Sequence, residues 1–244
     1  MSIQAINPFI IPLEIWSYKK ATKEEMLECL RAEGRPCLNV RNQLIRTVKT
    51  AVDAAAFVAS TGASVEMKNH VEKALAERPG HYDWRLMMPS KTPKALSDYQ
   101  NKYPPSNMGP VSAEIDKVGF LVPNDQILFH GGTWPLGQTS ITMNRPFSTS
   151  FCPEVALRNA EYKAKSYDAG RIDLMVVRVV NPKTKAFVFK INGTRKGHEK
   201  EVLFAEGATA TLVSNTLVRD NYPVGKYGFD NKNVPIYVVE ISIT

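Results

Sequence analysis

Residues 199–204 read Glu-Lys-Glu-Val-Leu-Phe, two carboxylates separated by one lysine and followed at once by a short apolar run. Along an extended chain, positions i and i+2 share a face. Glu199 and Glu201 are therefore expected to point the same way, at the mouth of a strand that carries Val202 and Phe204 into the core. Adjacent acids repel each other and gain little from packing, and Thr or Val would build the same strand at lower cost. The plainest structural use of such a pair is a solvated strand edge whose charges discourage edge pairing. The residues upstream decide between that use and a chemical one.

At 244 residues, with 43% hydrophobic and 23% charged side chains, the chain matches an ordinary soluble globular domain. No apolar run approaches the length of a membrane span. Phe9-Ile10-Ile11 is broken on both sides by Pro8 and Pro12 and follows no basic segment, so no secretory signal peptide is expected. Three cysteines are too few, and odd in number, for a disulfide framework. None forms a Cys-x-x-Cys pair, and the four histidines lack metal-ligand spacing. The chain reads as cytoplasmic, in a reducing compartment, with no metal and no membrane contact. A net charge of +7 biases it toward anionic partners such as dinucleotides, nucleic acid or acidic protein surfaces.

The first half carries helical patterns. Thr22 and Glu25 form a capping box that predicts a helix to Glu33, stopped by Gly34. Leu44, Val48, Val52 and Ala55 predict a second helix over 41–60, stopped by Gly62. Met67, Val71 and Leu75 predict a third from Ser64, ended by Arg78-Pro79-Gly80. A weaker pattern covers 92–102, and Pro104-Pro105-Ser106-Asn107-Met108-Gly109-Pro110 reads as a loop. The second half changes to short β runs: 127–130, 145–151, 172–180, 186–191, 210–218 and 234–242, with one helix from Pro153 to about Lys165. These patterns predict an α+β fold with mainly antiparallel sheets, divided into a helical N-terminal lobe (1–110) and a β-rich core (111–244) within one integrated domain. Neither a Gly-x-Gly-x-x-Gly nor a Gly-x-x-x-x-Gly-Lys motif is present. His70 and His81 are expected at the surface or in caps, and Trp16 and Trp84 in the core or between the lobes.

Three motifs stand in order: Phe129-His130-Gly131-Gly132, Phe147-Ser148-Thr149-Ser150-Phe151, and Glu199-Lys200-Glu201-Val202-Leu203-Phe204. Together they resemble the mono-ADP-ribosyltransferases of the Arg–Ser–Glu class, which includes arginine-modifying bacterial toxins and effectors, phage enzymes and vertebrate ecto-transferases. The resemblance covers roughly residues 120–210. It implies a core of two packed, mainly antiparallel sheets that binds NAD as co-substrate. It also implies catalytic roles for Glu201, Glu199 and Ser148: Glu201 accepts from the ribose 2′-hydroxyl, Ser148 orients Glu201, and Glu199 binds the acceptor guanidinium. NAD contacts are implied for His130, Gly131, Gly132, Thr149, Ser150 and Arg145, with 192–198 as the loop that presents the acceptor. Histidine stands at 130 where the class carries arginine. The imidazole is expected to donate to ribose or backbone oxygens, with Arg145 or Arg171 supplying the missing charge, or else to be a packed strand-end residue.

Independent chemistry fits these residue types. Loss of nicotinamide leaves positive charge on the ribose, as in glycoside cleavage, and a fixed carboxylate stabilises that charge most in the transition state. The expected function is transfer of ADP-ribose to a macromolecular acceptor, most simply a protein arginine. RNA or DNA as acceptor, simple NAD glycohydrolysis, and a non-enzymatic basic nucleic-acid-binding module are the alternatives. A neutralising partner is plausible for such an activity.

Overall fold

A computed structural model describes residues 3–77, 79–103, 107–192 and 194–244. The expected breaker at Arg78, the Pro104-Pro105-Ser106 segment and Gly193 lie outside the described residues. The chain begins with β1 (Leu13–Lys20), α1 (Lys23–Glu33), β2 (Asn39–Val48) and α2 (Ala51–Thr61). Helices α3 (Val65–Glu77), α4 (Pro79–Leu86), α5 (Lys94–Asn101) and α6 (Gly109–Val118) follow. Then come β3 (Phe120–Leu121), β4 (Ile127–Gly132), β5 (Ser140–Thr142), β6 (Phe147–Ser150), α7 (Pro153–Glu161) and α8 (Lys165–Ala169), the last two joined by a 3-10 turn. The strands β7 (Ile172–Val179), β8 (Lys185–Val188), β9 (Glu201–Phe204), β10 (Thr209–Val224) and β11 (Lys232–Ile243) complete the fold, which is α+β.

Local chemistry sets several of these boundaries. Thr22 caps α1 reciprocally with Glu25, and Gly34 ends it at φ 73°. Met67, Val71 and Leu75 are the buried face of α3. The helix predicted over 41–60 is corrected: its first part is β2, paired antiparallel with β1 from Leu13↔Val48 to Lys20↔Asn39. A spacing of four is an even number, so Leu44 and Val48 suit one face of a strand as well as one face of a helix. The helix starts only at Ala51, behind a second capping box made by Thr50 and Asp53. Helices α4 and α6 begin inside the stretches read as breaker and loop. Pro79 opens α4 and a proline sits in the first turn of α6, where a missing N–H leaves nothing unsatisfied.

A disulfide joins Cys29 to Cys37, correcting the expectation drawn from the cysteine count. A count argues against a framework of bridges and is blind to one local clip. His70 stacks on Phe9, and His81 is buried edge-on to Phe151, so neither is a free surface group.

The described strands form a two-stranded ribbon, β1–β2, and a larger sheet in the order β3-β8-β9-β6-β4-β7-β11-β10-β5. Every pairing in the large sheet is antiparallel except β7 with β11. The sheet has two halves, because β4 and β6 share a single register pair, Phe129↔Ser150. One half is β3-β8-β9-β6 and the other β4-β7-β11-β10-β5, and the cleft opens where they part. Helices α2 to α6 pack into the same hydrophobic core as the sheet, whereas α1 buries no residue. Trp84 of α4 is fully buried against Phe120 and Phe151. Gly131 permits the close approach of α7 to β4, since a Cβ there would overlap the Ala156 carbonyl oxygen.

Candidate active site

The register of β6 with β9 brings the two central side chains together. Ser148 lies opposite Leu203, and Ser150 opposite Glu201. Ser148 and Glu201 are thus diagonal neighbours on one face, a separation that a glutamate spans. Ser148 Oγ donates to Glu201 Oε1 at 2.6 Å. From α5, Gln100 Nε2 approaches the other carboxylate oxygen, Oε2, at 3.4 Å. Glu201 is only 6% exposed. Burial pushes its carboxyl up to about 7; the Ser148 hydrogen bond opposes that rise, and the nearby Glu199 charge adds to it.

Glu199 reaches the same cleft by a different route from the one expected. Residues 197–199 form a 3-10 turn, Lys200 is left-handed at φ 48°, and β9 begins only at Glu201. The two acids are not alternate residues of one strand, yet both line the cleft. The turn is built tightly. Gly197 lies against the Ile191 backbone, where a Cβ would overlap the Ile191 carbonyl oxygen. Glu199 N donates to Lys196 O at 2.9 Å, and Ser150 Oγ donates to Glu199 O at 2.7 Å. The Glu199 carboxylate accepts an ion pair from Lys196 Nζ at 2.7 Å. Lys200 points away from the cleft, where its buried ammonium meets Glu72 Oε1 of α3 at 3.0 Å and His198 O at 3.1 Å.

His130 joins β4 to β6 where they share so little backbone pairing. Its Nδ1 lies 2.6 Å from Ser148 O. A carbonyl only accepts, so Nδ1 carries the proton and Nε2 is left as an acceptor. Burial pulls the imidazole down to about 4, the nearby Lys165 and Arg145 charges act in the same direction, and the bond to Ser148 opposes them. At neutral pH His130 is uncharged, tilts against Phe147, and braces the strand that carries Ser148. The backbone donation anticipated for it is present; a positive charge in place of arginine is not.

Arg145 and Arg171 are the two residues expected to supply that charge. Arg171 is committed to Asp173, donating to Oδ1 through Nε and Nη2, and stacks on Tyr237. Arg145 lines the cleft with Lys163 and Lys165. Lys163 and the following Ala164 have φ of 54° and 60°, a left-handed pair unusual for residues with side chains. The cleft has a volume of about 950 Å³, at the upper end of the usual ligand-site range.

His130, Gly131, Gly132, Thr149 and Arg145 all line the cleft together with Ser148, Glu199 and Glu201. Thr149 Oγ1 donates to Val202 O. Ser150 is a buried buttress that holds the Glu199 backbone and accepts from Cys152 N. Trp134 also lines the cleft, its backbone N–H donating to the buried Asp173. Sequence reasoning missed Tyr99 and Gln100 of α5 and Tyr103 just beyond its end, which together wall one side of the cleft. The Tyr99 phenol is shifted upward, first by burial and then by the Glu201 charge. Tyr99 is a buried residue of α5, but only the tertiary fold brings it near Glu201.

Among the described residues, no cluster of three or more His, Cys, Asp or Glu is placed to hold a metal ion, and no helix is long and apolar enough to cross a membrane. No protein-family model matches the chain, and no curated protein matches it. Among solved structures, it is similar to Plx2a, an ADP-ribosyltransferase toxin from Paenibacillus larvae. The two are 7% identical, over 72% of this chain and 96% of that one, with a TM-score of 0.43. It is similar to the Vis toxin, an ADP-ribosyltransferase from Vibrio splendidus, at 13% identity over 93% and 88% of the two chains, TM-score 0.29. It is also similar to exoenzyme S from Pseudomonas aeruginosa, at 12% identity over 78% and 82%, TM-score 0.33. Likeness at these identities and TM-scores carries no functional weight, which rests on the side chains.

Proposed function

We propose that this chain is an NAD-dependent mono-ADP-ribosyltransferase that breaks the nicotinamide–ribose bond and transfers ADP-ribose to a macromolecular acceptor, most simply a protein arginine. The supporting observation is the Ser148–Glu201 hydrogen bond of 2.6 Å inside a cleft that also holds Glu199 and the basic side chains of Arg145, Lys163, Lys165 and Lys196. Glu201 is oriented before substrate arrives, so its carboxylate needs no reorganisation to stabilise a developing ribosyl cation. Ser148 fixes one oxygen and leaves the other toward Gln100 and the cleft. Arg145, Lys163 and Lys165 offer cations to the pyrophosphate of NAD, while neutral His130 offers an acceptor nitrogen to a sugar hydroxyl. Glu199 is the group to bind an acceptor guanidinium and withdraw its proton.

The test is incubation with NAD labelled in its adenylate part and a cell lysate, followed by separate protease and nuclease treatment. Label removed by protease supports a protein acceptor, and label removed by nuclease replaces it with RNA or DNA. Nicotinamide release without macromolecular label reduces the reading to a glycohydrolase. No NAD turnover at all, with salt-sensitive nucleic-acid binding unchanged by Glu201→Gln, ends it in favour of a binding module.

A further inference from the structure

The Glu199 carboxylate already has a cation on it. Lys196 Nζ sits 2.7 Å from Glu199 Oε1, with the two side chains 39% and 21% exposed, and both residues line the cleft. The pairing is built into the turn. Glu199 N donates to Lys196 O, Gly197 is packed on Ile191, and Ser150 holds Glu199 O, so the two side chains leave one tight turn three residues apart. Resting on the transferase reading of this cleft, we propose that Lys196 determines acceptor specificity: its ammonium occupies the acceptor carboxylate, and an incoming acceptor must displace it.

That arrangement discriminates between cations. An ammonium is a compact point donor, whereas a guanidinium presents parallel N–H groups that engage a carboxylate bidentately. A guanidinium replaces the Lys196 contact with a stronger one. A lysine acceptor replaces it with its equal and must also leave bulk water, so it gains nothing. The intramolecular lysine therefore sets a threshold that arginine-like acceptors cross and amine acceptors do not.

Arginine methyl ester is the probe, with lysine methyl ester as the competing amine. Calorimetric titration without NAD compares wild type with Lys196→Met and Lys196→Arg, each checked for native circular dichroism. Lys196→Met is expected to bind arginine methyl ester about three- to tenfold more tightly, the range for a partly exposed ion pair. It should also gain measurable binding of lysine methyl ester. Lys196→Arg, with a bidentate internal competitor, is expected to weaken binding of the arginine ester. The KM for arginine methyl ester in NAD-dependent transfer should move in the same directions. A merely structural lysine gives no tightening on removal, so unchanged or weaker binding in a natively folded Lys196→Met overturns the proposal. A wild type that releases no nicotinamide from NAD defeats the transferase reading instead, and the titrations still decide whether Lys196 occupies this carboxylate.

Discussion

Glu201, on the strand platform of β6 and β9, is nearly free of solvent and held by a serine hydroxyl and a glutamine amide. Glu199, in the turn at the rim, is more exposed and faces a lysine ammonium. Both are glutamates, two residues apart, with different surroundings and so different chemistry. On the platform, burial works against ionisation and hydrogen bonding resists that pressure, which leaves a carboxylate in a site with little solvent to screen it. At the rim, a partly exposed ammonium pairs with the carboxylate, where another cation can reach it. One group suits stabilisation of charge that forms during reaction; the other suits reversible capture of a cation that arrives from outside.

The sharpest way to break this contrast is Glu201→Gln. Nicotinamide release is expected to fall about a hundredfold to a thousandfold, the usual loss when one preorganised electrostatic partner is removed. Glu199→Gln is expected to reduce transfer to a guanidine acceptor more than it reduces nicotinamide release. Equal losses in both assays from both variants would erase the distinction between platform and rim. Stability should move the opposite way. The native carboxyl titrates near 7, above its ordinary value of 4.5. Its contribution to stability is therefore fully present below 4.5 and is lost as pH rises through about 7. Glu201→Gln removes that penalty, and its melting temperature should exceed that of the wild type by several degrees at pH 8, from about 1–3 kcal/mol. At pH 4.5 the two should melt together. No separation at pH 8 would show that Glu201 ionises without cost.

Ser148→Ala tests the platform more gently. The hydroxyl orients Glu201 and favours its ionised form, so its loss is expected to reduce nicotinamide release about tenfold at the plateau. The ionised carboxylate is the active form, and wild-type activity should rise with pH and level off above about 7. Without the serine bond the carboxyl is pushed further up, and the acid limb of the profile moves to higher pH. A profile that stays in place while activity falls would mean that Ser148 acts on substrate and not through Glu201.

Some of this was readable in the residues. The capping box of α1, the buried face of α3 and the β runs of the second half follow from periodicity and cap chemistry, which are local. Ser148 and Glu201 were readable as motif members because their strands could be predicted, and antiparallel neighbours meet by register. The Lys200 reversal was not readable, because a left-handed lysine has no sequence signature. Nor was the α5 wall: Tyr99 and Gln100 reach Glu201 across a hundred residues of chain, and their own helix pattern says only that one face is buried. Gly131 and Gly132 read as a ligand-approach motif. In the fold, Gly131 is also a packing site, its missing side chain making room for the backbone of α7.

The smallest expected effect lies at the joint between platform and rim. Lys200 separates the two acids and anchors that joint from behind, its buried ammonium meeting Glu72 of α3. Glu72→Ala leaves the ammonium buried with only the His198 carbonyl, whereas Lys200→Met replaces it with an apolar side chain of similar length. Breaking one side of a buried pair is more damaging than replacing the charge with hydrocarbon. Glu72 is itself 40% exposed, which holds the expected loss for Glu72→Ala to about 1–2 kcal/mol, or a few degrees of melting temperature. Lys200→Met should lose less, and nicotinamide release should change about threefold or less in either variant. If Lys200→Met melts lower than Glu72→Ala, the lysine is held by its backbone conformation and the His198 carbonyl, and α3 contributes nothing to the spacing of the two carboxylates.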